Sequence, residues 1–338
     1  MKGRSRYGLL MFIFLCALVA AFFLSFLVGR YPIDPKTVAQ IASSRLFSIE
    51  PTWEITLEKV VLQVRLPRIL LAILVGGSLS MAGASYQTLF KNPMVSPDIL
   101  GVSAGAGFGA ALAMLNNSGW AGIQLSALVF GLGAVGLAYM IASLSGKKQD
   151  LTVLILAGVV VSSLFQSLLS IVKTLADTDS QLPSITFWLM GSLGKGNNHD
   201  VLVMLPAVFL SSSILFLFRS QIDALAAGED EAISMGVNVP LVKFMVIVSS
   251  TLMTVISVSI CGIIGWVGMV VPHIARALVG ANYGRLSSLS FVIGGLFLLL
   301  IDNLIRGISG VELPLGVMTA LIGTPVFAVM LARIKRGW

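Results

Sequence analysis

The chain is short of charge. Only 11% of its 338 residues are Asp, Glu, Lys or Arg, while 57% are hydrophobic; an ordinary soluble domain carries about 25% charged residues. That shortage excludes a soluble globular protein. Histidine and cysteine are scarce too, with two of each. Cys16 and Cys261 lie in or beside apolar runs without a spacing motif, so they offer no metal site and report no redox compartment. No His-Glu-x-x-His, Gly-x-Ser-x-Gly or Gly-x-x-x-x-Gly-Lys-Ser/Thr occurs, and Gly194-Lys195-Gly196 fails the last pattern. The chain therefore reads as holding no nucleotide, metal or other cofactor of its own. Carboxylates are almost missing from the apolar runs. Asp302 alone lies well inside one, with Arg306 four residues on, a spacing suited to pairing. An ion-coupled carrier needs more such groups. The formal charge of +7 is scattered between apolar runs, as Lys and Arg at membrane-helix ends would be, and argues against nucleic acid as a partner.

What the chain has in abundance is apolar length. Windows of about 20 residues predict ten spans, near 7–28, 66–90, 99–115, 120–144, 151–176, 201–218, 241–260, 262–280, 286–305 and 314–332. The fold class is an all-α polytopic membrane protein, its helices in one compact bundle over 1–338. The 262–280 span is interrupted by Gly262, Gly265, Gly268 and Pro272 and is expected to be short or broken. The first run, 22 residues from Tyr7 to Val28, is too long for a signal-peptide core and is taken as an uncleaved helix. With both termini cytoplasmic, 13 Lys and Arg fall inside and 9 outside, a modest bias of the right sign. Residues 29–65 form the longest outer loop, where Asp34-Pro35 and the spacing of Val38, Ile41, Ala42 and Leu46 predict a short surface helix. Small residues recur every four positions, at Gly76, Ser80 and Ala84 and at Gly101, Gly105 and Gly109, so helix backbones should approach closely.

Residues 219–240 are the conspicuous polar insertion. Gln221 to Met235 can form about four helical turns, with Leu225, Ala232 and Met235 apolar, Glu229, Asp230 and Glu231 acidic, Gly236 as the stop and Pro240 opening the next span. By itself this is either a solvated connector or a surface that a soluble protein pushes. On 151–176, Ser162, Ser163, Gln166, Ser170 and Lys173 share a helical face, either lining a path or gluing helices. Arg65 and Arg68 flank Pro67, either snorkelling at the interface or meeting a partner.

A set of ordered motifs resembles the FecCD-type permeases of bacterial ABC importers. They are Arg65-Leu-Pro-Arg68, Phe90-Lys-Asn-Pro-Met-Val-Ser-Pro97, Leu100-Gly-Val-Ser-Ala-Gly105, Trp188-Leu-Met-Gly-Ser192, Gly228-Glu-Asp-Glu-Ala, Val271-Pro-His-Ile-Ala-Arg276, Glu312-Leu-Pro-Leu-Gly-Val317 and Leu321-Ile-Gly-Thr-Pro325. They run unbroken from Arg65 to the C-terminus, and the first outer loop lies outside the match. The resemblance implies a subunit of about ten helices in the bacterial cytoplasmic membrane. It works with a second permease subunit (a homodimer is expected), two ATPase subunits that bind ATP and Mg, and an external solute-binding protein. It implies ATPase coupling through Ala227, Gly228, Glu229, Asp230, Glu231, Ala232, Met235 and Gly236, and docking of the binding protein at Arg65, Arg68 and Arg306. It places the translocation path along Ser162, Ser163, Gln166, Ser170 and Lys173. The loops holding Gly191, Ser192 and Gly194 outside, and Ser143, Ser145 and Gly146 inside, are read as gates. His273 is expected to be structural. The implied cargo is a metal chelate, iron-siderophore first, with haem, cobalamin and molybdate open.

Overall fold

The computed structural model describes residues 2–29, 31–44, 53–144, 151–308 and 313–334. Every regular element among them is helical. In chain order they are α1 (Lys2–Ser25), α2 (Pro35–Ser44), α3 (Ile55–Leu89), α4 (Val102–Leu115), α5 (Trp120–Leu144), α6 (Leu151–Leu175), α7 (Gln181–Leu189), α8 (Asn198–Leu217), α9 (Arg219–Ala227), α10 (Glu229–Ser234), α11 (Val239–Cys261), α12 (Val267–Val279), α13 (Tyr283–Ile308) and α14 (Leu315–Ile334). Seven helices are long and apolar enough to span a bilayer, and α4, α12 and α14 are shorter apolar helices. Together these ten occupy the ten predicted spans.

Helix α3 is the axis of the bundle. From Val75 to Leu89 every residue is buried, and the helix packs against α13, α11, α12 and α8. Its small residues explain how. A Cβ on Gly76 would fall 2.2 Å from Gly294 O, and one on Gly83 would fall 1.7 Å from Gly268 O, so the backbones of α13 and α12 touch α3 directly. The second predicted stripe does the same for α4: Gly105 and Gly109 lie against the α5 backbone, and Ser126 donates to Gly109 O at 2.7 Å. By contrast α1 turns Phe12, Phe23 and Leu24 outward and stays peripheral, as a lipid-facing helix does.

Two boundaries differ from the sequence reading. The second span starts eleven residues early, at Ile55, because a π-helical segment (Val60–Arg65) carries the helix beyond the apolar window. Between α11 and α12, residues 262–265 are non-helical, with Gly262 at φ +72°, and α12 then runs for 13 residues, about 20 Å. Gly262 and Ile264 are buried in the bundle, which is where a non-helical segment at membrane depth is tolerated.

Contacts between helix ends sort the chain into two poles. At one, Arg285 lies over Tyr7, Arg276 reaches Thr88, and Asp223 holds Asn282 and Tyr283. At the other, Arg65 reaches Phe26 O, Asn198 reaches Leu62 O, Ser192 reaches Cys261 O, and Leu315 reaches Gly191 O. Successive spans alternate between these poles, so α12 crosses despite its shortness and α1 begins at the pole that carries α9 and α10.

Candidate functional site: a polar pole and an arginine pole

At the first pole, the predicted four-turn helix is two helices. The break falls at Gly228 for an electrostatic reason: Glu229, Asp230 and Glu231 occupy the first turn of α10, where acids oppose the positive helix end. Its far end closes as a Schellman motif, with Val237 N–H donating to Ala232 O, Gly236 N–H donating to Ile233 O, and Gly236 at φ +77°. Asn238 then caps α11 by accepting from Leu241 N–H at 3.2 Å, with Pro240 in its first turn. The loop is anchored by burial of Ile222, Leu225 and Ala232. An ion pair of 2.7 Å joins exposed Glu229 to buried Lys243 on α11. Asp223 accepts from Asn282 Nδ2 at 2.8 Å and from Tyr283 N–H at 2.6 Å, and partial burial pushes its carboxyl above the usual aspartate range. Ala227, Asp230, Glu231, Met235 and Gly236 face outward. Of the three apolar residues read from the sequence, Leu225 and Ala232 point inward; the apolar surface on offer is Met235, 72% exposed, with Ile233, 60% exposed. Ile233 went unread because a lone apolar residue just past a run of acids carries no periodic signal.

At the opposite pole the three arginines come together around one acid. Asp302 is fully buried and takes Arg68 Nε on Oδ1 at 2.8 Å and Arg306 Nε on Oδ2 at 2.9 Å. Arg306 also donates to Val28 O at 3.0 Å, and Arg65, only 4% exposed, donates to Phe26 O and Tyr31 O. These arginines therefore tie α1, α3 and α13 together rather than snorkelling. Arg65, Arg68 and Arg306 all line a cavity of about 250 Å³ with Gly29, Tyr31 and Ile305.

Gly191, Ser192 and Gly194, the residues expected to form the outer gate, lie at this same pole. Gly191 (φ +75°) brings its loop onto two other backbones. Ser192 N–H donates to Cys261 O at 2.8 Å, and Leu315 and Gly316 N–H donate to Gly191 O and Met190 O at 2.9 and 3.0 Å. The approach is so close that a Cβ on Gly262 would fall 2.1 Å from Trp188 O, and one on Gly316 would fall 2.5 Å from Met190 O. Gly262 and Gly316 share this backbone contact with Gly191, and no spacing in the sequence signals that α11 and α14 meet there. Gly194 N–H donates to Ser192 Oγ at 2.9 Å. At the other mouth Ser143 ends α5 with its hydroxyl on Met140 O, while Ser145 and Gly146 lie outside the described residues.

On α6, Ser163, Gln166 and Ser170 stand exposed, but Ser162 is half-buried against Gly101 and Lys173 is half-buried. The exposed stripe is rotated from the predicted one and takes in Ser167 and Thr174. The spacing 163, 167, 170, 174 was a visible signal for it. Each of these hydroxyls donates to the carbonyl four residues back, leaving oxygen lone pairs outward. His273 is half-buried on α12 with Nδ1 unpartnered. No group of three or more His, Cys, Asp or Glu fit to hold a metal occurs among the described residues.

A multi-pass helical bundle with a polar loop helix at one pole and an arginine cluster at the other has the architecture of a membrane permease. The sequence profile of the FecCD transport family matches residues 17–333, and the chain belongs to that family. It is 38% identical to the molybdate import system permease protein MolB of Haemophilus influenzae over 92% of this chain and 91% of that one. It is 37% identical to the cobalamin import system permease protein BtuC of Halobacterium salinarum (90% and 80%) and 35% identical to the Fe(3+) dicitrate permease protein FecD of Escherichia coli (82% and 86%). A solved structure described as "an inward-facing conformation of a putative metal-chelate type ABC transporter" superposes with TM-score 0.86 at 35% identity, covering 96% of this chain and 99% of that one. The protein is thus a FecCD-family ABC importer permease subunit rather than an enzyme, and an ATPase and a solute-binding protein are implied as partners.

Proposed function

We infer that the subunit passes a metal chelate or oxyanion inward by alternating access, driven by ATP and Mg bound on a separate ATPase and not by any cofactor of its own. Iron-siderophore remains the leading cargo by frequency in the family, with molybdate, cobalamin and haem as alternatives. The observation that carries this reading is the loop Arg219–Gly236. It is anchored by Ile222, Leu225, Asp223 and Glu229 to α11 and α13, yet presents Met235, Ile233 and three acids to solvent. A lever needs both a rigid grip on the bundle and a free face for its partner. The α9–α10 pole is then cytoplasmic, and so are both termini. Two ATPases act on a homodimer, with the α6 stripe of each subunit facing the path. The arginine cavity receives carboxylates of the binding protein, a contact that steers encounter more than it adds affinity.

The rival reading, an ion-coupled carrier acting alone, needs a free carboxylate in the spans. The buried acids among the described residues are Asp302, held by two arginines, and Asp200, which accepts from Gln124 Nε2 and Asn197 N–H. Neither is available to cycle a proton. The test is ATP hydrolysis by the reconstituted permease–ATPase complex with its binding protein, across a panel of iron chelates, cobalamin, haem and molybdate. One cargo should raise hydrolysis and uptake together; uptake by the permease in vesicles lacking nucleotide would overturn the reading.

A further inference from the structure

Near the α9–α10 pole a groove of about 380 Å³ runs between α1 and α8, lined by Met11 of α1, Met81 of α3, Ser213 and Phe216 of α8, and Ser288 and Phe291 of α13. Phe216 stands exposed, as do Phe209 and Leu217 on α8 and Phe12 and Leu15 on α1, so the mouth of the groove lies on a lipid-facing surface. Its walls carry no charge and few polar atoms. Ser288 already donates to Gly284 O at 2.9 Å.

Cations gather one turn nearer the helix ends. Tyr7 precedes Met11 by four residues, Arg285 precedes Ser288 by three, and Arg219 follows Phe216 by three, about 5 Å along each axis. Because α1 and α13 start at this pole and α8 ends there, all three residues lie on the same, polar side of the groove. Arg285 lies 6.0 Å from the centroid of the Tyr7 ring, and Arg219 lies 4.1 Å from that of Phe216. Arg219 also packs on α13, since a Cβ on Gly284 would fall 3.1 Å from its Cδ; it thus stands beside the residue preceding Arg285. Neither arginine forms an ion pair among the described residues. Arg219 donates one N–H to Phe216 O at 2.8 Å, and the ring contacts leave both charges in place. Asp223, the acid at this joint, gives its oxygens to Asn282 Nδ2 and Tyr283 N–H, while α10 with its three acids packs on α9 and α11. Exposed Arg6, just ahead of Tyr7, adds a third cation.

An apolar slot at membrane depth with arginines at its interfacial end suits an amphiphile that is apolar at one end and anionic at the other. A soluble anion would leave the slot empty, and a zwitterionic lipid would bring its own cation up to the arginines. Guanidinium forks pair with phosphate oxygens bidentately, and basic pockets between membrane helices take anionic headgroups. We propose that this groove binds one anionic phospholipid, with its phosphate on Arg219 and Arg285 and one acyl chain between α1 and α8. Bound there, the lipid ties peripheral α1 to the bundle and braces the start of α9. The reading of the chain as an importer permease makes the leaflet the cytoplasmic one; the groove itself does not depend on that reading.

The test titrates the permease–ATPase complex, delipidated in detergent, with phosphatidylglycerol, cardiolipin or phosphatidylcholine and counts bound lipid by native mass spectrometry. Phosphatidylglycerol or cardiolipin should bind saturably and about tenfold or more tighter than phosphatidylcholine. A preference for cardiolipin assigns one phosphate to each arginine, and parity with phosphatidylglycerol assigns one phosphate to both. Arg219→Gln with Arg285→Gln should weaken binding of the anionic lipid by about tenfold or more. Ser213→Phe, which leaves every charge in place, should weaken binding by filling the slot. Lys36→Gln, at an exposed cation of the opposite pole, should change nothing. Phosphatidylcholine binding as tightly as phosphatidylglycerol, or unaltered binding in the double-arginine variant or in Ser213→Phe, overturns the site. Displacement of the lipid by inorganic phosphate alone overturns it too, since it would leave the slot without a role. ATP hydrolysis stimulated by the binding protein is measured on the parent complex in phosphatidylglycerol nanodiscs. Stimulation without selective lipid binding sinks only this groove, and absence of stimulation counts against the importer reading itself.

Discussion

At the arginine pole Arg65, Arg68, Arg306 and Asp302 are drawn into the protein, whereas at the α9–α10 pole Asp230 and Glu231 stand in solvent and Glu229 is half in it. Burial makes the first set expensive unless each charge is answered, and the guanidinium groups meet Asp302, Asn303 Oδ1 and backbone carbonyls. Exposure makes the second set nearly free for folding, so folding does not require it. The same residue types thus serve cohesion at one pole and contact at the other, and substitutions should separate the two roles.

The largest effect is expected from Asp302→Asn. It leaves Arg68 and Arg306 buried beside a neutral amide, and breaking such a pair costs about 3–5 kcal/mol. Membrane levels and the thermal midpoint in detergent should both fall steeply. If Asp302→Asn proved no less stable than Glu231→Gln, the contrast between the poles would be wrong. The next effect belongs to the exposed pair. Ile233→Asp with Met235→Asp should weaken association with the ATPase by about tenfold or more, by removing apolar area buried against the partner. Stability should stay within about 0.5 kcal/mol of the parent, as for other surface changes. Charge reversal sharpens the comparison within one helix. Glu231→Lys should cut transport alone, whereas Glu229→Lys should cut transport and lower the thermal midpoint, since it turns the 2.7 Å pair with buried Lys243 into a repulsion. Equal midpoints for the two variants would show that the pair holds nothing.

Much of the bundle was legible because bilayer thickness imposes a length that apolar windows read directly. The small-residue stripes on α3 and α4 were legible for a similar reason, since four-residue spacing allows little but close helix contact. Other features depended on partners far along the chain. Nothing near Arg65 reveals that carbonyls of Phe26 and Tyr31 will capture its guanidinium. Charged Lys59 and Arg65 ended the apolar window while the helix itself began at Ile55. The Gly228 break was hidden by helix-favouring alanines on both sides, although three acids in a row after a glycine marked a fresh helix start. The backbone contact at Gly191 was half legible, because Gly191 advertises a turn while Gly262 and Gly316 matter only through the backbones they meet.

The smallest effect sits where the poles' logic mixes, at Asp223, which is polar, half-buried and clasped to Asn282 and Tyr283 at the α9–α13 joint. Burial raises its carboxyl above the usual aspartate range in the folded protein. Between the unfolded and folded values the folded chain binds more protons than the unfolded one, so stability falls as pH rises through that window, from about pH 4 upward. Above it the ionised carboxylate carries the full burial penalty, partly repaid by the two donors. Asp223→Asn keeps an acceptor for Tyr283 N–H and removes the titration. The thermal midpoint of the parent should therefore decline slightly relative to Asp223→Asn as pH is raised from about 4 through the range where the folded carboxyl ionises, with parallel curves above it. A parent curve that instead climbs relative to the variant would mean that the donors outweigh burial, and that this joint behaves like the paired arginine pole rather than standing between the two.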